Sequence, residues 1–200
     1  MGPCIGVLAL QGAFREHRRA LERCGAAVRE VRRRKDMDGM DAVVIPGGES
    51  TTMGKLLVDS AMLEPLRGRI QEGMPAYGSC AGLILLCADI EDRPDQPRLG
   101  VLDASVRRNA FGRQVDSFTT ELALAPLTTV DGGHAEPSVV EAVFIRAPLI
   151  EKIGSGVEVL ASVNGLPVAV RQGNILALSF HPELTNDLRF HQWVVDMAEI

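Results

Sequence analysis

Residues 75–86 read PAYGSCAGLILL and contain the turn that decides the fold. The first three residues are apolar, as in a short buried strand, and the last four continue as a helix. Between them Gly78 and Gly82 flank Cys80 in the pattern of a nucleophile elbow, with cysteine in the serine position. The glycines allow a sharp bend that leaves the central side chain at the carboxyl edge of a sheet. The alternative is a glycine-rich turn with a buried free cysteine.

A histidine follows a second apolar strand. Residues 175–180 read ILALSF, and His181-Pro182-Glu183 comes directly after them. The histidine therefore also falls at the carboxyl end of a strand, where open α/β sheets build their sites. A carboxylate two residues from an imidazole can hold the ring in one tautomer and stabilise its charged form. Alone, this tripeptide is also typical of a turn with a solvated glutamate. With the elbow, it predicts a triad of Cys80, His181 and Glu183.

A glycine pair follows a third apolar strand, in residues 46–52, which read PGGESTT. Two glycines can present N–H groups inward with no side chain in the way, so this loop is a candidate oxyanion hole. Alternatively, a glycine pair followed by Ser or Thr is typical of a turn that leads into the N-terminus of a helix. Ser50 or Thr51 is expected to cap the next helix. The loop is not a phosphate-binding P-loop, because the Gly-Lys-Ser/Thr signature is missing.

Apolar strands alternate with helical patterns in the first half of the chain, which is typical of a mainly parallel sheet covered by helices on both faces. There the sequence predicts strands near 5–10, 28–31 and 42–45 and helices near 14–24, 51–58 and 63–72. From Gly100 onward, strands follow one another without helices, which predicts an antiparallel extension. These strands are expected near 115–122, 139–145, 157–163, 167–171 and 175–180, before a final helix near 187–198.

Length and composition fit one α/β domain over residues 1–200. At 46% hydrophobic residues, the chain can bury one sizeable core. No apolar segment reaches membrane-spanning length. The apolar residues 5–10 are not preceded by the basic residues of a signal peptide, so we expect a cytoplasmic protein. The cysteines lack C-x-x-C spacing, which argues against a zinc site or a disulfide framework, and we expect no metal and no cofactor. These cysteines are Cys4, Cys24, Cys80 and Cys87.

Positive charge is concentrated near the start of the chain. The net charge is −5, yet residues 15–35 contain nine of the 21 basic side chains and three of the 26 acidic ones. Two interpretations remain, a solvated helix face with its loop or a docking surface for an acidic partner protein. Nucleic-acid binding is not expected, because the overall balance is acidic and only 4% of residues are aromatic.

Taken together, the elbow, the H-P-E segment and the PGGESTT loop resemble the class I, or triad, glutamine amidotransferases. More closely, the chain resembles the glutaminase subunits of ribose 5-phosphate-dependent pyridoxal 5′-phosphate synthases. Five blocks in the right order carry this resemblance: residues 8–12 (LALQG), 46–52, 108–114 (RNAFGRQ), 144–148 (FIRAP) and 179–185 (SFHPELT). There are two departures. Ser79 stands where that family usually has threonine, and residues 127–139 look like a longer surface loop.

This resemblance implies a single-domain, flavodoxin-like glutaminase without a cofactor. Such an enzyme hydrolyses L-glutamine through a γ-glutamyl thioester on Cys80 and delivers ammonia to a synthase subunit in a hetero-oligomeric complex. His181 would act as acid and base, Glu183 would orient it, and the N–H groups of Gly48 and Ala81 would form the oxyanion hole. The implied contacts to glutamine are Gly48, Glu49, Ser50, Arg108, Ile145 and Arg146.

Three alternatives remain. A glutaminase subunit of another synthase, such as one for imidazole glycerol phosphate, would share the triad but should lack the RNAFGRQ and FIRAP blocks. A DJ-1-like redox sensor or chaperone also uses a cysteine elbow, but its function does not require an H-P-E segment after a strand near the C-terminal end of the chain. A non-catalytic regulatory or scaffold protein of the same fold is disfavoured, because all three triad positions carry reactive residues.

Overall fold

The structure, a computed structural model, describes residues 2–110, 117–127 and 138–199. The helices are α1 (Phe14–Arg23), α2 (Ser50–Asp59), α3 (Leu63–Gln71), α4 (Ala81–Leu86) and α5 (Arg189–Ala198), with 3₁₀ helices at Arg34–Met37 and Pro182–Leu184. The strands of the first half are β1 (Cys4–Leu8), β2 (Ala27–Val31), β3 (Ala42–Ile45), β4 (Ala76–Ser79) and β5 (Cys87–Ile90). Those of the second half are β6 (Leu102–Arg107), β7 (Ser117–Leu124), β8 (Ser138–Ile145), β9 (Leu149–Ile153), β10 (Glu158–Val163), β11 (Leu166–Gln172) and β12 (Ile175–Leu178).

The central sheet is mainly parallel, as the alternating pattern predicts. Its strand order is β10-β11-β12-β4-β3-β1-β2. The strands from β12 to β2 pair in parallel, whereas β10 and β11 pair antiparallel at one edge. Register aligns Gly78 of β4 with Ile45 of β3, and Ser79 with Leu178 of β12. The loops that follow these three central strands therefore start at the same level and meet at one edge of the sheet.

The central strands are buried on both faces, which explains why they are apolar throughout. In β3, Val43 and Ile45 point into one layer of the core, where they pack with side chains of α2, α3 and α4. Ala42 and Val44 point into the other layer, with side chains of α1 and α5. No helix within the described ranges is long and apolar enough to span a membrane.

The antiparallel strands expected in the second half of the chain are present, but they are divided among three sheets. Strands β10 and β11 extend the central sheet, while β7 and β8 form a separate two-stranded sheet and β5, β6 and β9 form a three-stranded one. The expected strands β7 and β8 are present, but β5, β6 and β9 are additional. Strand β5 is hidden in the sequence because it follows α4 without a break, so its apolar residues read as a continuation of the helix. Residues 128–137, in the expected long loop, lie outside the described ranges.

Candidate active site

Cys80 lies between β4 and α4, so the predicted strand-to-helix turn is confirmed. Its backbone has φ 49° and ψ −101°, a left-handed conformation that L residues rarely adopt. The backbone of α4 at Gly82 packs directly on the backbone of β3 at Ile45. A Cβ at Gly82 would overlap the carbonyl of Ile45. Ala81 is the first residue of α4 and its N–H has no acceptor within the helix. The Sγ of Cys80 lies 3.9 Å from the carbonyl oxygen of Ile145.

His181 and Glu183 form a buried pair beside this cysteine. The imidazole Nδ1 lies 2.8 Å from Oε1 of Glu183, and the backbone N–H of His181 donates to Val143 of β8 at 2.8 Å. Burial alone would lower the pKa of His181, but hydrogen bonds with Cys80 and Glu183 and the charge on Glu183 raise it to about 10. Burial would likewise raise the pKa of Glu183, yet His17 and His181 hold it well below its usual range. A protonated imidazole beside a thiol is the arrangement that stabilises a thiolate nucleophile.

The glycine loop after β3 packs directly on this pair. A Cβ at Gly47 would overlap the His181 ring and lie 3.5 Å from Cβ of Cys80. The N–H of Gly47 donates to Oγ of Ser79 at 3.1 Å, and its carbonyl accepts from the N–H of Ala13 at 3.0 Å. The N–H of Gly48 shares a trans peptide with that carbonyl, so it points away from Ala13.

Glu49, not Ser50 or Thr51, caps α2. Its Oε1 accepts from the N–H of Thr51 at 3.3 Å, and its Oε2 accepts from the N–H of Thr52 at 2.7 Å. Ser50 is instead the first residue of the helix. A glutamate can reach back to these N–H groups, and the positive end of the helix favours its charge. Gln11 lies in the LALQG block, but no role was predicted for it; its Oε1 accepts from the N–H of Glu49 at 2.6 Å.

An open cavity beside Cys80 is lined by all six of the residues expected to contact glutamine. The lining residues are Gly48, Glu49, Ser50, Cys80, Ile84, Arg108, Asn109, Ile145 and Arg146. Ile84 and Asn109 were not expected from the sequence. Asn109 and Arg146 have φ of 48° and 43°, so two residues of the cavity rim hold strained backbones. Residues 111–114 of the RNAFGRQ block lie outside the described ranges.

The Arg108 guanidinium is fixed in place at the cavity wall. Its Nε donates to Oδ2 of Asp92 at 3.1 Å, and its Nη1 donates to Thr51 Oγ1 at 2.8 Å and to Gln96 Oε1 at 3.1 Å. Burial would raise the pKa of Asp92, but hydrogen bonds from Arg108 lower it. No sequence pattern marks Asp92 or Gln96, because both lie on an irregular segment after β5.

The other reactive side chains lie apart from this site. The four cysteines are free, and burial strongly raises the pKa of Cys87. Among the described residues, no group of three or more His, Cys, Asp or Glu side chains could hold a metal ion. The basic segment 15–35 is partly neutralised within itself, since Arg18 pairs with Glu22 at 2.8 Å and Arg32 with Glu30 at 2.9 Å. Its role in docking an acidic partner stays a prediction.

Comparison with known proteins identifies the family. The profile of the SNO glutamine amidotransferase family matches residues 7–200. The chain belongs to the SNO glutamine amidotransferase family. The pyridoxal 5′-phosphate synthase subunit PdxT of Frankia alni is 57% identical to this chain. The alignment covers 98% of this chain and 96% of the Frankia protein. The subunit of the same description from Thermus thermophilus is 52% identical, over 98% of each protein.

A solved structure shares the fold of this SNO-family chain. A crystal structure described as glutamine amidotransferase superposes with a TM-score of 0.88 at 49% sequence identity, covering 98% of this chain and 99% of that one. The mainly parallel sheet with helices on both faces is therefore the fold of a known glutamine amidotransferase.

Proposed function

We propose that this chain is the glutaminase subunit of a pyridoxal 5′-phosphate synthase. It hydrolyses L-glutamine to L-glutamate and ammonia and delivers the ammonia to a synthase subunit in a hetero-oligomeric complex. Membership of the family and identity above 50% with synthase subunits of nearly the same length support this role. We place the whole of residues 1–200 in one glutaminase domain that works in the cytoplasm, where its cysteines stay reduced.

The observation that carries this proposal is the composition of the cavity beside Cys80. Glutamine has an α-ammonium and an α-carboxylate at one end and a neutral amide at the other. The cavity is lined by one acidic residue, Glu49, and two basic residues, Arg108 and Arg146, beside Cys80. Glu49 suits the α-ammonium and the arginines suit the α-carboxylate, since charge-assisted hydrogen bonds are the strong ones. The side-chain amide then extends toward Cys80.

In the first half-reaction the Cys80 thiolate attacks the amide carbon of glutamine. A carbon–sulfur bond forms, and the carbonyl oxygen becomes an oxyanion that accepts hydrogen bonds from the N–H groups of Ala81 and Gly48. The carbon–nitrogen bond then breaks, and His181 gives its proton to the departing nitrogen, which leaves as ammonia. The product on the protein is a γ-glutamyl thioester.

In the second half-reaction His181, now neutral, takes a proton from water. The resulting hydroxide adds to the thioester carbon, the carbon–sulfur bond breaks, and glutamate leaves as the Cys80 thiolate re-forms beside a protonated His181. Glu183 keeps the ring in the required tautomer and stabilises its charge in both half-reactions. The raised pKa of His181, about 10, is the expected property of a ring paired with a buried carboxylate.

Co-expression with a candidate synthase subunit tests the proposal. The complex is assayed for pyridoxal phosphate formation with glutamine or with ammonium salts as the nitrogen source. We expect product from either source in the wild-type complex, and only from ammonium salts when the chain carries Cys80→Ala. A wild-type complex that makes product from ammonium salts but never from glutamine would contradict the assignment.

A further inference from the structure

A buried histidine outside the triad contacts two parts of the active site. His17 lies on α1, and its side chain is fully buried. Its Nε2 lies 3.5 Å from Oε1 of Glu183 and 2.9 Å from Oγ of Ser79. The same Ser79 oxygen accepts the N–H of Gly47 at 3.1 Å. One ring nitrogen therefore reaches the carboxylate that orients His181 and, through one hydroxyl, the candidate oxyanion loop.

The proton positions in this cluster follow from its partners. An ionised Glu183 oxygen can only accept a hydrogen bond, so Nε2 of His17 carries a proton. The other nitrogen, Nδ1, lies 3.0 Å from Nε2 of His191, so one of these two nitrogens donates a hydrogen bond to the other. Nδ1 of His191 has no hydrogen-bond partner among the described residues. Burial lowers the pKa of His191 to about 3, so this ring is neutral near pH 7.

The surroundings hold this arrangement in place. The Tyr77 ring stands edge-on to His17 and to His191, with centroid distances of 5.6 Å to each. Oε1 of Glu183 faces both His17 and His181, whereas Oε2 has no hydrogen-bond partner among the described residues. A buried carboxylate held mainly through one oxygen depends on the two rings beside that oxygen for its orientation.

We infer that His17 is a positioning residue of the glutaminase site, which orients the Glu183 carboxylate directly and the Gly47 loop through Ser79. This inference rests on the proposed function. His17 does not touch the substrate cavity, and it acts only through the groups that it orients. Its loss should therefore lower kcat for glutamine hydrolysis and leave KM nearly unchanged, because the cavity that binds glutamine keeps its lining.

The test compares His17→Gln with His17→Asn in the complex with the synthase subunit. A glutamine amide nitrogen can reach the position of Nε2, whereas an asparagine amide lies near Nδ1 and cannot reach Glu183. At metal sites, loss of a hydrogen-bond partner that orients a ligand costs about 10- to 100-fold in affinity or activity. We expect a kcat decrease of about that size for His17→Asn, and kcat within about threefold of wild type for His17→Gln, with KM within about threefold in both.

Leu21→Ala is the matched folding control. Leu21 is buried on the same face of α1, one turn along, and its truncation should lower stability without moving Glu183. Equal kcat values for the two His17 variants, or a kcat loss in Leu21→Ala as large as that in His17→Asn, would overturn the inference.

A second measurement separates this inference from the proposed function. The rate of alkylation of Cys80 by iodoacetamide needs no glutamine and reports the thiolate that His181 and Glu183 maintain. We expect slower alkylation in His17→Asn than in His17→Gln. If wild-type protein failed to hydrolyse glutamine but the alkylation rates differed in this order, the proposed function would be wrong and the positioning role would stand. Identical alkylation rates would overturn the positioning role.

Discussion

The backbone conformation that positions the Cys80 thiol lowers the stability of the folded protein. With φ of 49°, this residue holds a conformation that glycine adopts freely and other residues adopt at a cost. Cys80→Ala and Cys80→Gly should both abolish glutamine hydrolysis, because neither has a nucleophile. Cys80→Gly should also unfold at higher urea, with a free energy of unfolding about 1 kcal/mol above that of Cys80→Ala. Equal stability of the two variants would show that the turn stores no strain.

The remaining cysteines provide the control for this experiment. Cys87 is fully buried, and burial raises its pKa, so it carries no thiolate near pH 7. Cys87→Ala should therefore keep glutaminase activity and lose only stability. Loss of activity in Cys87→Ala but not in Cys80→Ala would exclude Cys80 as the nucleophile.

In the proposed mechanism, His181 and Glu183 contribute differently to turnover. His181 moves protons in both half-reactions, so His181→Asn should be nearly as damaging as loss of Cys80. Glu183 only orients and stabilises the imidazolium, so Glu183→Gln should retain measurable turnover. Glutaminase kcat of the two variants in the synthase complex checks this order. Full activity in both would remove these residues from the mechanism.

At the scale of elements, close packing of α4 on β3 depends on Gly82. A Cβ there would overlap the carbonyl of Ile45, and rigid backbone cannot move away as a flexible side chain could. Gly82→Ala should cost about 1–3 kcal/mol of stability and lower activity, since it displaces the elbow. Gly68 lies in α3 with open space around its Cα, so Gly68→Ala should gain up to about 1 kcal/mol. Urea unfolding of both variants tests the contrast, which a similar loss in each would refute.

We expect a partner to control activity through the loop between β3 and α2. Gly48 is exposed, and the carbonyl of Gly47 is held by Ala13. The backbone at Gly47-Gly48 is permissive, and a docked synthase subunit can stabilise the orientation in which this loop donates an N–H to the oxyanion. We expect the isolated chain to be a poor glutaminase and the subunit to raise turnover about 100-fold, the value of one oxyanion donor. Full activity in isolation, unchanged on mixing, would refute this control but not the triad.

For the whole molecule, buried titrating groups predict an optimum of stability near pH 6.5. His181 titrates at 6.5 when unfolded and at about 10 when folded, so its contribution is complete below pH 6.5 and is lost as the pH rises toward 10. The pKa of Glu183 is lowered from 4.5, so its contribution is present above pH 4.5 and is lost as the pH falls further. The pKa of His191 is lowered from 6.5 to about 3, so its burial costs stability progressively between those values.

Urea unfolding at pH 5, 6.5 and 8 measures this profile. The alkaline decline has a limiting slope of about 1.4 kcal/mol per pH unit for one proton, and it should be absent in His181→Asn, because the group that causes it is gone. The acid decline between pH 6.5 and pH 5 should remain in that variant, since His191 is unchanged. Wild-type stability that rises steadily from pH 5 to 8 would contradict the pKa assigned to His181.

Local patterns in the sequence were enough to predict the elbow at Cys80, the H-P-E turn and the glycine loop, together with the mainly parallel sheet. Each depends on neighbours in the chain: glycines at a bend, a histidine after an apolar strand, and the alternation of strand and helix. The resemblance to glutaminase subunits added the cavity residues. Because parallel strands end at one edge, these separate motifs had to meet there.

Only the tertiary structure decided which residues support that edge. Glu49 caps α2 because its carboxylate lies at the positive end of that helix, while β7 and β8 leave the central sheet to form their own. His17 contacts Ser79 across 62 residues of chain. Its position on the buried face of α1, three and four residues before the buried Ala20 and Leu21, was the signal available in the sequence. That spacing indicates burial, but it does not identify the partner, because packing between distant segments decides which groups a buried histidine meets.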